Sequence, residues 1–380
     1  MEEKKNMYRS EMILKNNQLD KMLQERNKKI SISEDQEVVI FGCGELGKNI
    51  LDNSSKSKIK VKCFIDNSVC INGSYKGIKV YKLEEFSEIY NDELIILASI
   101  IYDVNMETEL KKHNITKVIS YEFLCEYDNK RFTPYGMSYG NYTKDLIDNK
   151  DKYIQLFNEI EDPLSLEVLD NIIMYRITMD KKYLIKAHNI SVNNEGEYFD
   201  SNIVKLSSSE VFVDGGAYKG ETTEKFLNIT NRRYTGIYIF EPDEDLYKEV
   251  TDRICGENIH YYLAGIGRKR EKLKFKKTGG LNGCVCNEGD EEIQIETIDS
   301  IPVSFPITYI KLDIEGAELD AIYGAEKTIR NYRPKMAISS YHKAEDLWKL
   351  YYAIKSLNNN YAVYIRHYSN HIAETDFYYI

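Results

Sequence analysis

The chain has 380 residues, with 51 basic and 61 acidic side chains for a net charge of −10, and that length accommodates two domains that each bury a core. The acidic balance, with both signs spread along the chain, excludes reliance on phosphate-backbone attraction, so no nucleic-acid partner is expected. Seven cysteines without a C-x-x-C pair argue for reduced thiols, the longest apolar run (94–102) is too short to span a bilayer, and the charged start MEEKKNMYRSEM is no signal peptide, so the expectation is a cytoplasmic protein without a membrane span.

Residues 1–36 read as one charged helix with an apolar stripe of Met12, Leu19, Met22 and Leu23, packed on its own domain; an arm that docks a partner or forms a homo-oligomer is the other reading. From residue 37 the texture changes. EVVIFGCGELGKNI gives a short apolar strand, then Gly42, Gly44 and Gly47 as G-x-G-x-x-G, then a helix. Asp66 ends the next strand, VKCFID, 19 positions past Gly47, the separation at which a carboxylate binds a ribose hydroxyl. Strands at 79–81, 93–99 and 117–120, alternating with helices at 83–90 and 105–113, predict a small Rossmann-like domain over 37–125. Gly42, Gly44, Gly47 and Asp66 are then a second site for a nucleotide or nucleotide-sugar, although the same glycines also serve plain helix-on-strand packing.

Residues 126–200 read as a helical linker, opening with the Pro/Gly/aromatic loop NKRFTPYGMSYGN and continuing in helices at 142–160 and 165–179. Leu166, Leu169, Ile173 and Ile177 recur at helical spacing, Ser165 is placed to cap them, and Arg176 either packs or points into a substrate cleft.

A second α/β domain spans 201–380. VFVDGGAYKG, at 211–220, is a buried strand ending in Asp214, with Gly215, Gly216 and Gly220 turning the chain before the helix ETTEKFLNI. The spacing is neither G-x-G-x-x-G nor a phosphate loop; an acid against the glycines suits a ligand with an ammonium group and little phosphate. TGIYIFEP ends in Glu241 and Pro242, and a carboxylate there is placed to accept both hydroxyls of a ribose. The third strand, HYYLAGIG, ends in Ala264 and Gly265, small enough for an adenine ring to lie flat on the backbone. A β-like insertion at 272–277, a glycine-rich loop at 278–283 and IQIETIDSI follow. ITYIKLDIEGAEL gives the fourth core strand, with Asp313 at its tip and Gly316 opening a helix that carries Glu318. MAISSY predicts a strand leading to His342 and a helix at 344–357, and YIRHY places Arg366 and His367 at a last strand.

Together VFVDGGAYKG, FEPDEDL, LAGIG, ETIDSI and IKLDIEGAELDAIYGA resemble the FkbM family of S-adenosylmethionine-dependent methyltransferases over residues 165–380. One departure is Ile298, where the family commonly has leucine, a conservative exchange. The amino-terminal domain is similar to small Rossmann modules attached to carbohydrate-modifying enzymes. The resemblance implies an α/β protein with a carboxyl-terminal seven-stranded Rossmann-like methyltransferase sheet, beside the smaller amino-terminal Rossmann-like domain and the helical linker. It implies S-adenosylmethionine as cofactor, with Asp214, Gly215, Gly216 and Gly220 at its methionine end, Glu241 and Pro242 at the ribose, Ala264 and Gly265 at the adenine, and Asp313 where the methyl group meets the acceptor. The acceptor it implies is a hydroxyl of a sugar, nucleotide-linked or in a surface glycan. YHKAEDL and YIRHY resemble the carboxyl-terminal signature of one branch of the family, which implies a place in the acceptor pocket for Tyr341, His342, Arg366 and His367; Glu315, near Asp313 in sequence, is expected with them.

Methyl transfer from a sulfonium is an in-line displacement, so alignment and exclusion of water come first. A sugar hydroxyl is a poor nucleophile, and a base helps: His342 is the first candidate, His367 the runner-up, with Asp313 beside the methyl group. No metal is expected, because the carboxylates already have a cofactor-positioning role; the competing reading has Asp313 with Glu315 or His342 holding magnesium. Two other classes stay open: a binding protein for S-adenosylmethionine or a nucleotide-sugar that performs no transfer, and an NAD-dependent sugar oxidoreductase or epimerase built on 42–47.

Overall fold

The computed structural model describes residues 7–28, 32–68, 73–134, 141–192, 196–276, 283–285, 289 and 291–380. Most of the expected glycine-rich loop at 278–283, residues 135–140 of the aromatic loop, and Cys70 and Cys286 lie outside them. Among the described residues no helix is long and apolar enough to cross a membrane.

Six short strands build the first sheet: β1 (Gln36–Phe41), β2 (Ile59–Ile65), β3 (Ser74–Tyr75), β4 (Ile78–Tyr81), β5 (Leu94–Leu97) and β6 (Val118–Ser120), in the order β3-β4-β2-β1-β5-β6. All neighbours are parallel except the β3–β4 hairpin. A parallel sheet is covered on both faces, which is why its strands read as unbroken apolar runs. Val38, Ile40, Phe64 and Ile96 enter one core, and Val39, Cys63, Ile65 and Ile95 the other, the period-two alternation of a strand buried on both sides.

The amino-terminal segment is two helices, Arg9–Lys15 and Leu19–Lys28, where one was expected; Asn17 turns the corner between them with φ 55°. Their buried face is Ile13, Leu14, Leu19 and Leu23, while Met12 is exposed. They pack on the helix Pro163–Thr178, to which Ser10 is tied twice through Asp170 (N–H and Oγ, both 2.7 Å).

Residues 142–191 form four helices, Tyr142–Asp148, Lys150–Glu159, Pro163–Thr178 and Lys182–Ser191. The expected helix 142–160 is split at Asn149, and the last of the four was not foreseen. Asp162, not Ser165, caps Pro163–Thr178: its carboxylate accepts the Ser165 N–H (2.9 Å) and hydroxyl (2.5 Å), with Pro163 opening the first turn. This helix is apolar nearly all round and shares one core with the second sheet, so it is a covering layer. Arg176 on it points to no cleft; it is buried and donates to the Tyr153 hydroxyl (2.9 Å) and the Ala344 carbonyl (2.6 Å). Lys181, just beyond, bridges Asp103 (3.1 Å) and Glu122 (2.9 Å) of the small domain.

The second sheet contains β7 (Val211–Gly215), β8 (Gly236–Phe240) and β9 (Ile259–Tyr262). An insertion follows, β10 (Gly265–Ile266), β11 (Glu271–Lys276), β12 (Cys284–Val285) and β13 (Glu291–Glu296), and the sheet resumes with β14 (Tyr309–Leu312), β15 (Lys335–Ser339), β16 (Val363–His367) and β17 (Thr375–Tyr379). Its order is β16-β17-β15-β14-β7-β8-β9, seven strands with β17 antiparallel to both neighbours. The insertion forms a four-stranded sheet of its own, so the expected third strand HYYLAGIG is divided between β9 and β10. From β7 the chain moves outward to β8 and β9, then returns to β14 on the other side. That reversal opens a crevice at the carboxyl ends of β7 and β14, where ligands of such sheets bind.

Candidate active site

β7 and β14 run in register, Asp214 beside Lys311 and Gly215 beside Leu312, and both end at a cavity of about 540 Å³. The turn after β7 lies directly on the end of β14. Gly216 has φ 76°, and a Cβ there would stand 1.8 Å from the Asp313 carbonyl oxygen, so only glycine fits. Asp214 lies beneath this turn, fully buried: its Oδ2 accepts the Thr223 hydroxyl (2.6 Å) and its Oδ1 is 3.3 Å from Lys311 Nζ. Lys311 in turn donates to the carbonyls of Gly215 (3.1 Å) and Gly216 (2.6 Å). Asp214, Gly215 and Gly220 are not cavity walls; of the glycines expected at the cofactor's methionine end only Gly216 lines it, with Ala217 and Tyr218. Gly215 is packed against Leu312 and Ile266, and Gly220, at φ 82°, starts the helix Glu221–Ile229.

Glu241 follows β8. Its carboxylate accepts the N–H of Tyr218 (2.8 Å) and of Asp243 (3.0 Å), joining the turns after β7 and β8 on the cavity wall. Burial pushes its acid up to about 7 against those two donors. Pro242, Ala264 and Gly265 line the same end, beside Phe275, Ile293 and Ile295 of the inserted sheet.

Asp313 follows β14 and lines the cavity; its Oδ2 accepts the Tyr198 hydroxyl (2.9 Å) and its Oδ1 that of Tyr341 (3.2 Å). Tyr341 and Glu315 are walls as well, and Glu315 holds φ 55°. His342 is beside them but differs from expectation. The ring is 4% exposed and is no cavity wall. Its Nδ1 is 3.1 Å from Glu318 Oε1, and its Nε2 is 3.4 Å from Asp313 Oδ1 and 3.5 Å from Glu315 Oε2. Burial works against its charge, yet Glu318, Asp313 and Glu315 together raise it to about 10. An imidazolium has no lone pair for a proton, so the ring held in this way differs from the free base expected at this position.

His367 and Arg366 are corrected too. His367 is fully buried in β16, its Nδ1 2.9 Å from the Thr375 hydroxyl, and burial pushes it down to about 3; it is neutral but away from the cavity. Arg366 donates to Asp162 (3.1 Å), Ser165 Oγ (3.2 Å) and the Ile365 carbonyl (2.8 Å), tying β16 to the covering helix.

Glu197 and Glu374, missed in the sequence, line the cavity near Asp313. Burial raises both; Asp313 adds to the effect on Glu197, and the hydrogen-bonded neighbour Glu197 lifts Glu374 well above the carboxylate range. They come from the segment before β7 and the turn into β17, which carry no periodic signal. Tyr198, beside Glu197, was missed for the same reason.

The small domain closes the far side of the cavity with Glu45, Leu46 and residues 98–102, at the carboxyl end of β5. Gly42, Gly44, Gly47 and Asp66 are not among the walls. Gly42 (φ 106°) and Gly47 are needed for close packing, since a Cβ on Gly47 would stand 1.9 Å from the Gly42 carbonyl oxygen; around Gly44 there is open space. Asp66 accepts the N–H of Cys43 (2.7 Å), in the turn after β1, and of Ser68 (2.8 Å), in its own loop.

Residues 214–368 match the family model described as the Methyltransferase FkbM domain. Among solved structures the chain is similar to a methyltransferase FkbM from Methylobacillus flagellatus, at 20% identity over 95% of this chain and 99% of that one, with a TM-score of 0.74; the likeness of fold thus takes in both sheets. It is also similar to an rRNA methylase from Streptococcus thermophilus, at 14% identity over 52% of this chain and 93% of that one, with a TM-score of 0.30. No curated protein matches the chain.

Proposed function

We propose, for a chain that is an S-adenosylmethionine-dependent methyltransferase with an FkbM domain over 214–368, that the acceptor is a hydroxyl of an uncharged sugar or glycan held between the two sheets. The observation that carries this reading is the composition of the shared cavity: among the described residues eight carboxylates line it against one lysine, Lys311, which is committed to the glycine turn and Asp214, and one histidine, His371, which burial pushes down to about 4. Such walls attract the cationic sulfonium donor, whereas a nucleoside diphosphate would meet like charge.

At the donor end, Glu241 accepts the ribose hydroxyls, Ala264 and Gly265 with the inserted sheet enclose the adenine, and Gly216 lets the methionine end approach the backbone. Asp214 acts through Lys311, holding the turn in place. At the acceptor end, Tyr341 and Asp313 orient the sugar, and its apolar face rests on Ile101 and Tyr102 of the small domain, both more than half exposed. The acceptor oxygen attacks the methyl carbon, the carbon–sulfur bond breaks with its electron pair going to sulfur, and the hydroxyl proton passes to the Glu197–Glu374 pair. A carboxyl pair sharing one proton keeps one member ionised, and its raised affinity makes it a stronger base than an exposed carboxylate.

The test is incubation with labelled S-adenosylmethionine and two panels, neutral glycans and nucleotide sugars, read by mass. A neutral acceptor one methyl group heavier is the expected product. Label confined to the nucleotide sugars would contradict the reading.

A further inference from the structure

We infer that Asp313, Glu315 and His342, backed by Glu318, form a divalent-cation site on the acceptor side of the cavity. His342 Nε2 faces Asp313 Oδ1 at 3.4 Å and Glu315 Oε2 at 3.5 Å. Two donors about 2.1 Å from a common ion stand roughly 3 to 3.5 Å apart, depending on octahedral or tetrahedral geometry, so each of the two carboxylates has the spacing from Nε2 that a shared ion requires; Asp313, His342 and Glu318 also offer ligand atoms that all lie within 4.8 Å of one another. Behind the ring, Glu318 Oε1 is 3.1 Å from Nδ1 and is itself held by the N–H groups of Ile314 (2.9 Å) and Gly316 (3.4 Å). That is the order of a carboxylate–histidine–metal arrangement, with the rear carboxylate behind Nδ1 and the other nitrogen turned to the ion.

Two independent observations point the same way. Neither nitrogen of the 4% exposed His342 ring makes a well-directed hydrogen bond, and neither does Glu318 Oε2, so polar atoms are buried here with their partners incomplete. Glu315 also keeps a left-handed backbone (φ 55°) that a glutamate rarely adopts, bringing its carboxylate to the ring and the cavity wall at once. Three carboxylates face a ring that contributes at most one positive charge, whereas a divalent ion offsets two and takes the place of the proton on Nε2. An imidazole with two carboxylates suits a borderline cation such as Mn²⁺ or Zn²⁺. Asp313 and Glu315 are walls, so the ion's open positions face the acceptor; a hydroxyl bound there is more acidic and gives its proton to Glu197–Glu374 more readily. This catalytic role rests on the transfer reading above, but the binding of the ion does not.

The test uses the full-length chain freed of metal by chelation and desalting. Mn²⁺ is titrated by electron paramagnetic resonance of the free ion, and Zn²⁺ by calorimetry. One ion per chain is expected, bound at least about tenfold more weakly by Glu315→Gln and by His342→Ala. Thermal melting separates a folded variant from an unfolded one, and Glu315→Gln, at the cavity wall, keeps the test valid should His342→Ala not fold. Binding of neither ion by the wild type, or unchanged binding by folded Glu315→Gln, would overturn the site. Methyl transfer at an unchanged rate without a bound ion would overturn the ion's catalytic role alone; a bound ion without transfer to any neutral sugar would overturn only the functional reading.

Discussion

In the proposed donor site Glu241 would act as an anion, since only the ionised carboxylate accepts both ribose hydroxyls. With its acid raised to about 7 by burial, the accepting form is the minority species below that value and the majority above it. Affinity for S-adenosylmethionine should therefore climb as pH rises from about 6 to about 8 and then level off; a titration flat across that range would speak against the ribose role. Asp214 presents a different case. Replacing it with alanine strands the buried Lys311 ammonium, and losing one partner of a buried pair costs about 3–5 kcal/mol, so Asp214→Ala should denature at markedly lower urea. An unchanged urea midpoint would mean the pair is idle. Single residues were legible where a strand end exposes them, as with Glu241 and Asp313. His342 lies behind the cavity wall, and its charge was not legible, because its three carboxylate neighbours, Asp313, Glu315 and Glu318, follow another strand. Nothing local to SYHKAE announces that cage.

Turns and helices carry the next level. The turn after β7 tolerates no side chain at Gly216, where both the positive φ and the Asp313 carbonyl forbid a Cβ, whereas Gly44 in the other glycine loop faces open space. Gly216→Ala should cost about 1–3 kcal/mol or more and abolish donor binding, while Gly44→Ala should leave melting and donor affinity nearly unchanged. Equal effects at the two positions would show that the loops are not differentiated as described. In the covering helix, Leu169 is fully buried against the second sheet's core, and Leu169→Ala should cost about 2–5 kcal/mol in chemical denaturation. The parallel strands were readable because burial on both faces leaves continuous apolar runs. The breaks at Asn17 and Asn149 were not, because an asparagine inside a polar helix face looks the same whether it continues the helix or turns it.

At the scale of the molecule, the carboxyl ends of two Rossmann-like sheets meet over one cavity. Two glycine-bearing α/β units were visible in the sequence, but not that they face each other. That placement depends on contacts between distant positions, such as Lys181 with Asp103 and Glu122, and on helices 142–191 packed as a layer. If the small domain supplies the acceptor's apolar rest, Tyr102→Ala should raise KM for the sugar several-fold and leave S-adenosylmethionine affinity unchanged; a loss of donor affinity instead would move the acceptor elsewhere. The account as a whole depends on the donor lying in the crevice of the second sheet with its ribose on Glu241. Calorimetric titration of S-adenosylmethionine into the wild type and into folded Glu241→Ala tests this most directly. One donor per wild-type chain and at least about tenfold weaker binding by the variant is the predicted result; no binding by the wild type, or equal affinity in the two, would contradict it.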